Sequence, residues 1–393
     1  MKTGFKLLPT GIHAKRSAMI VGLMLLMTAC WITAGAEAAT YYASASGSGT
    51  TCSSASPCSL QTAIGRAGSG DTVIAKNGTY SGSFGSKANG VVIKAENKWG
   101  ATLNNSNDER IFAIDHSNLT VKGFRFDGQK VGSKGGSVVV RSNVSNVIIE
   151  HNHFLNPAAT AISGGGTNTV DGLIIRHNLV EDTGWGGPGE AFYMGASTYT
   201  ADNIFNVEIY GNTVRRYTTG GVDLKPNVVN VNVHHNIFEG QLYRSNPFKS
   251  GNEGTFMARN KSHRIHNNII RDATDAKGGL IGLSATRDHQ IFKNVVKNMR
   301  GVTAIILARE AGPGGTASQV YNNLFCNVNT YAVNAGSGLI VRDNSYDAPL
   351  SSCNAEEQRI LSEMQSLPSL SYDGATPITI PRAPSSLSVV FAK

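Results

Sequence analysis

Eight times along this chain an aliphatic residue is followed three positions later by an asparagine. The unit reads IEHNHF at Asn152, IRHNLV at Asn178, IYGNTV at Asn212, VHHNIF at Asn236, IHNNII at Asn268, IFKNVV at Asn294, VYNNLF at Asn323 and VRDNSY at Asn344. Successive asparagines are 26, 34, 24, 32, 26, 29 and 21 residues apart. A unit of that size cannot bury an apolar face alone, so neighbouring units must stack. Between the asparagines lies a second short segment: VVVRS, AISGG, AFYMG, GVDLK, TFMAR, LIGLS, IILAR and YAVNA. Strand-length segments and almost no helical periodicity predict an all-β fold, a single-stranded right-handed parallel β-helix. Stacking would place the asparagines in one inward column, where each amide can bond its neighbours and the backbone. They are therefore assigned to the scaffold. The two spacings above 30 put extra residues at about Asp182–Asn203 and Gln241–Gly254, where a solenoid commonly builds one wall of a binding face.

The ends break the pattern. Ser59 is placed to cap a short helix with Leu60, Ala63, Ile64 and Ala67 on one face, covering the first coil. Asn354 is placed to cap a second helix with Glu356 and Glu357 in its first turn and an apolar stripe of Ile360, Leu361, Met364 and Leu367. That helix and the tail after it, residues 351–393, are read as a cover for the stack of residues 39–350. Before the stack, Lys2, Lys6, Lys15 and Arg16 precede an apolar run from Ala18 to Ala29, and Ala36-Glu37-Ala38 fits a small-x-small cleavage site. Residues 1–38 thus read as a secretory signal peptide, with no other run long enough to span a bilayer. Met27-Thr28-Ala29-Cys30 offers a lipoprotein reading, ranked second because Met is atypical there.

Export sets the chemistry of what remains. Cys52, Cys58, Cys326 and Cys353 survive cleavage, and pairing within each end is the simplest of three connectivities. The formal charge is +8. The leader takes four basic residues and one acid, leaving about +5, an excess that suits an anionic partner. Nucleic acid is disfavoured, because no dense Lys/Arg run with interleaved aromatics occurs. A single copy of the chain is expected to suffice.

Strand alternation sorts inward from outward residues. Val222 and Leu224 should face the core, with Asp223 and Lys225 outward. In AFYM, Phe192 and Met194 go in and Tyr193 goes out. In FMAR, Phe256 and Ala258 go in, and Arg259 should lie over Lys225 on the next coil. Arg141 falls three coils before Lys225. Glu190 opens its strand after the Gly-rich WGGPGE turn. Trp185 in that turn, and Tyr243 and Arg244 in the longer loop, are candidate sugar contacts, as is His235. His234, His235, His263 and His266 should stack ring on ring along the outer face.

The segment LKPNVVNVNVHHNIFEG…EGTFMARNKSHRIHNNII resembles the Lys-then-Arg two-coil motif of polysaccharide lyase family 6, within the pectate lyase superfamily. The general resemblance spans most of residues 39–393; the specific one covers about 40 residues. It implies alginate-lyase or chondroitinase-B-like β-elimination, with Lys225 as base and Arg259 as acid or partner of the substrate charge. The sequence departs from that family where calcium-binding acids are expected, since Thr218 and Gly220 stand there. Asp223 and Glu190 are then the residues that would hold a Ca²⁺ ion.

The chemistry is coherent on the residues themselves. Removing a proton next to a uronate carboxylate requires that the carboxylate be neutralised and that the Lys base be uncharged. Arg259 would favour the neutral Lys225, and a free Asp223 would oppose it. Tyr193 could donate a proton to the leaving oxygen. The expected partner is an acidic polysaccharide of alginate, pectate or glycosaminoglycan type. Two other readings stay open: a β-helix that binds glycan without turnover, Asp223 and Lys225 being a plain surface pair, and a hydrolase or epimerase that pairs Glu190 with Asp223.

Overall fold

The computed structural model describes residue 1 and residues 37–105, 110–128, 136–184, 189–196, 201–218, 220–241, 248–250, 262–273, 281–284, 288–303, 306–308, 318–330, 340–368, 371–372 and 375–377, with backbone alone at 248–250, 281–284, 300–303, 306–308, 329–330 and 375–377. The proposed leader therefore lies almost wholly outside the described residues. No described helix is long and apolar enough to cross a membrane.

The repeat folds as its period requires. The described strands of successive coils line up in three parallel sheets of 14, 10 and 9 strands, here I, II and III, with two coils giving sheet I two strands each. The asparagine unit forms the corner between I and II, and the second segment, in each coil where it is described, supplies III. The only described antiparallel pair is Ser371–Tyr372 with Ala375–Pro377. Register makes like residues stack. Ile149, Ile175, Ile209, Val233, Ile265, Ile291 and Val320 follow one another inside sheet I, all essentially buried. Phe126 and Phe154 stack inside sheet II at 5.0 Å. Each such side chain stabilises the stack by about 1.5–3 kcal/mol, and β-branched and aromatic shapes both suit a pleated surface.

The asparagine column forms as expected. The Oδ1 of each asparagine accepts from both the backbone N–H and the Nδ2 of the asparagine one coil earlier, at 2.9–3.2 Å from Asn152 through Asn344. The residue just before each asparagine bends the chain. His151, His177, Gly211, His235, Asn267, Lys293, Asn322 and Asp343 all have φ between 51° and 66°. This left-handed turn aims the following amide inward, and the side-chain bonds replace the ladder bonds that the corner interrupts.

Helix α1 (Leu60–Arg66) sits where the capping signal put it, with Ser59 Oγ accepting from the Thr62 N–H at 3.1 Å and Leu60, Ala63 and Ile64 buried. The cysteines pair within each end, Cys52 with Cys58 and Cys326 with Cys353. Helix α2 (Leu350–Met364) covers the stack as expected, and its start corrects one expectation. It starts before Asn354, at Pro349, whose fixed φ suits a helix start; Asn354 lies inside and accepts from Lys297 Nζ. It also lies along a flank, its Cys353, Ile360 and Met364 packing on Ile237, Ile269, Val295 and Cys326 of sheet II. From there the chain runs back toward the first coils. Glu357 engages Arg271 and Lys297, and Glu363 accepts from His235 Nε2 (3.0 Å) and Asn267 Nδ2 (3.2 Å). Further back, Pro368 O accepts from His177 (2.7 Å) and the Tyr372 hydroxyl donates to Ala95 O.

Candidate functional site

The strands Glu190–Met194 and Gly220–Leu224 lie side by side in sheet III. Their register pairs Glu190 with Gly220, Phe192 with Val222, Tyr193 with Asp223 and Met194 with Leu224. Phe192, Met194, Val222 and Leu224 are buried in the core as alternation predicts. On the other face Tyr193, Asp223 and Lys225 come together. Lys225 Nζ lies 2.8 Å from Asp223 Oδ2 and 4.8 Å from the centre of the Tyr193 ring. This outward group is far from solvent-washed. Asp223 is fully buried and the Lys225 side chain is 8% exposed, so the pair is a desolvated ion pair rather than an exposed one.

Lys225 is fixed by its surroundings. Its N–H donates to Met194 O, and its own carbonyl accepts from the Val228 N–H, closing the turn through Pro226 and Asn227. Asn227 is fully buried. Its Oδ1 accepts from the Ala196 N–H at 2.9 Å, and its Nδ2 donates to Gly166 O and Asn203 Oδ1. Gly195, at φ 93°, allows the close approach: a Cβ there would lie 2.4 Å from Asn227 Oδ1 and 2.9 Å from Lys225 Cβ. Asn227 and Gly195 carry no chemistry but set where the ammonium stands. A signal for Asn227 was available: it follows Asn203 by 24 residues, as Asn236 follows Asn212.

Burial pulls the Lys225 pKa down, but the charge and hydrogen bond of Asp223, with smaller contributions from Tyr193 and Glu190, outweigh it. The net shift is upward, and Lys225 is held charged. Asp223 thus opposes a neutral lysine, as its charge implies.

The remaining expected site residues divide. Glu190 begins its strand, three positions along from the residue in register with Asp223. It is buried, and its neighbouring Gly189 carbonyl accepts from the Thr183 and Thr218 hydroxyls. Arg141 lies three coils from Lys225 and pairs with Asp115. His235 is not on this face: it stands at the corner of sheets I and II, held by Glu363. His234 does stack outward, between Tyr210 (5.0 Å) and His266 (5.1 Å). His263 is inside instead, fully buried on His289 at 4.8 Å, because its Nδ1 accepts the Val231 N–H. Trp185, Tyr243, Arg244 and Arg259 lie outside the described residues.

One register expectation is corrected. The strand over Gly220–Leu224 is Phe248–Ser250, with Lys249 paired to Asp223, and not the FMAR segment. FKS satisfies the same alternation with fewer intervening residues, placing Phe248 in register with Val222. Lys249 is the basic residue in register with Asp223 on the next coil. A calcium ion fares less well. Among the described residues no group of three or more His, Cys, Asp or Glu side chains gathers, and Asp223 already holds the ammonium. Calcium needs six to eight oxygens, more than the two carboxylates of Asp223 and Glu190 offer by themselves.

No family profile matches the sequence, and no curated relative is found. Solved structures do match. A rhamnogalacturonan lyase aligns with TM-score 0.56 at 17% identity, over 79% of this chain and 88% of that one. A lacto-N-biosidase from Eubacterium ramulus aligns with TM-score 0.51 at 9% identity, over 84% and 69%. A mannuronic acid specific family 6 polysaccharide lyase from human gut microbiota gives 0.48 at 15%, over 78% of each. At these identities the likeness is one of fold, and by it the chain is a parallel β-helix.

Proposed function

We propose that the chain is an exported polysaccharide lyase that cleaves an acidic, uronate-containing glycan by β-elimination, with Lys225 as base. The observation that carries this reading is the Tyr193–Asp223–Lys225 cluster, a desolvated ammonium, carboxylate and phenol on an outer sheet face. The family 6 resemblance of the Lys225 segment supports it, as does the occurrence of a polysaccharide lyase on this fold.

Lys225 Nζ takes the proton from C5 of the uronate. The electron pair forms the C4–C5 double bond as the C4–O bond to the next sugar breaks, and the Tyr193 hydroxyl returns a proton to the leaving oxygen. A cation beside the substrate carboxylate stabilises the developing charge; Arg259 is the basic residue proposed for it. Because Asp223 holds Lys225 charged, the reaction needs Asp223 to exchange Lys225 for another cation. Lys249, in register with Asp223, is the proposed partner.

A second reading has its own observation. An ammonium held charged by a buried carboxylate suits binding of an anionic glycan without turnover. The two separate in one assay. Mature protein is incubated with alginate, pectate, and dermatan or chondroitin, with calcium or with chelator, following the ultraviolet absorbance of the unsaturated uronate. The lyase reading expects absorbance on one of them, lost in Lys225→Ala. Full activity in that variant removes Lys225 as base, and retention of glycan without absorbance on any of them supports binding alone. The chelator arm decides whether calcium takes part.

A further inference from the structure

A polar cleft opens on the same outer face, nearer the first coils. It has a volume of about 310 Å³, and Lys87, Arg110, Arg141, Asp115, Gln61 and Ser83 line it. Its three cations face one carboxylate. Asp115 accepts from Arg141 Nε at 3.0 Å and from Ser142 Oγ at 2.9 Å, and its backbone N–H donates to Ser86 Oγ at 2.9 Å. Arg141 is therefore aimed and half-neutralised, and its side chain remains 44% exposed. Lys87 is exposed and Arg110 half-buried, so the cleft keeps an excess of reachable positive charge.

Register ties this cleft to Lys225. The N–H groups of Arg141, Gly165, Gly195 and Lys225 donate in turn to Ile114, Val140, Gly164 and Met194, so these four residues occupy one column. Three coil steps at about 4.8 Å separate Arg141 from Lys225, roughly 14 Å. Between them this column holds only Gly165 and Gly195, and the neighbouring column holds Ser163 and Tyr193, both half-buried hydroxyls. Cations at the two ends and hydroxyls between them match a linear glycan with carboxylates along its length.

We propose that the Lys87–Arg110–Arg141 cleft is a distal subsite for a uronate carboxylate on the chain whose other end lies at Lys225, the glycan running parallel to the stack axis over Ser163 and Tyr193. This rests on the acidic-glycan part of the proposed function and not on turnover. A sugar repeat is close to one coil step, so the subsite is reached only by chains of four sugars or more. Asp115 limits its strength.

The test is binding of fluorescently labelled uronate oligomers of two to seven residues to the Lys225→Arg protein, which keeps the cation at that end and removes the base, repeated on the wild type with absorbance followed alongside. Affinity should rise at least tenfold between three and six residues and fall steeply with salt. Lys87→Ala with Arg110→Ala should abolish that rise and leave the shorter oligomers unchanged. Arg141→Ala should weaken, and Asp115→Asn strengthen, the longer ones. A length dependence that survives the double variant, or tighter binding with no length dependence, overturns the subsite. Length-dependent binding by a wild type that yields no unsaturated product keeps the subsite and sinks the lyase.

Discussion

Replacing Asn212 by Ala tests the central column directly. The Asn212 side chain is fully buried. Its Oδ1 accepts from the Asn178 N–H and Asn178 Nδ2, both at 3.0 Å, and its Nδ2 donates to Ile175 O (2.9 Å), Tyr210 O (3.1 Å) and Asn236 Oδ1 (3.0 Å). Truncation leaves the buried Asn178 N–H without that acceptor, at about 1–3 kcal/mol. The loss of the remaining bonds and the small void bring the total to roughly 3–5 kcal/mol. Asn344→Ala is the control, because Asn344 ends the column and is half-buried, so water can take its place at about 1–2 kcal/mol. Asn212→Asp keeps the acceptor but sets a carboxylate oxygen against Ile175 O and Asn236 Oδ1. It should be at least as damaging at neutral pH and partly relieved by acid, because protonation restores a donor and the folded-state pKa is raised. Equilibrium urea unfolding followed by far-ultraviolet circular dichroism gives each value. A cost below about 1.5 kcal/mol for Asn212→Ala, or one no larger than that of Asn344→Ala, would refute the claim that the shared amide bonds hold the corner.

Asp223→Asn removes the charge that holds Lys225 protonated, so the ascending, acid-side limb of the lyase rate, where the base loses its proton, should move to lower pH; an unmoved limb means that Lys225 does not titrate in the reaction. In the folded protein, the raised Lys225 pKa contributes stability that is full below the ordinary lysine range and lost as pH rises through the folded value. Gly195→Ala meets both the φ of 93° and the 2.4 Å approach to Asn227 Oδ1; it should cost about 1–3 kcal/mol and, where the protein still folds, lower kcat more than it raises KM. Cys353→Ser opens a bridge spanning 27 residues, worth about 3.5 kcal/mol by loop closure, read as a fall in the urea midpoint. Burial lowers His177 to about 4. Its folded pKa lies below its unfolded one, so the stability it gives is full above about 6.5 and drains as pH falls toward 4, and hydrogen exchange in residues 365–372 should quicken there before the rest.

The period alone carried the fold, because stacking makes a one-dimensional pattern into a three-dimensional one. Asn212 and Asn236 could be placed in one column from spacing and alternation without any other information. Alternation likewise put Asp223 and Lys225 on the outer side together. It could not tell outward from exposed: Asp223 is outward and fully buried, since Tyr193 and Lys225 cover it. The next coil was misregistered because FKS and FMAR carry the same alternating pattern, and only the pairing of Phe248 with Val222 decides between them. His263 and His234 look alike in sequence, yet one lies inside and one outside, because the inward one substitutes for a backbone acceptor. The flank taken by helix α2 was hidden for another reason. An apolar stripe says that a surface is covered but not which one.

The return run of residues 350–372 changes how such a molecule comes apart. A solenoid held only by neighbour-to-neighbour contacts unzips from its ends, one coil at a time. Here Tyr372 reaches Ala95, 277 residues back along the sequence, and Glu363, Pro368 and Cys353 tie down coils in between. Fraying the last coil therefore releases bonds on much earlier ones, which turns a linear zipper into a cooperative unit. The same connection is the last that synthesis can complete. Every coil must be in place before the tail finds its groove, so the closing step should be slow, and a chain interrupted before Cys353 should populate a fully coiled but weakly latched intermediate.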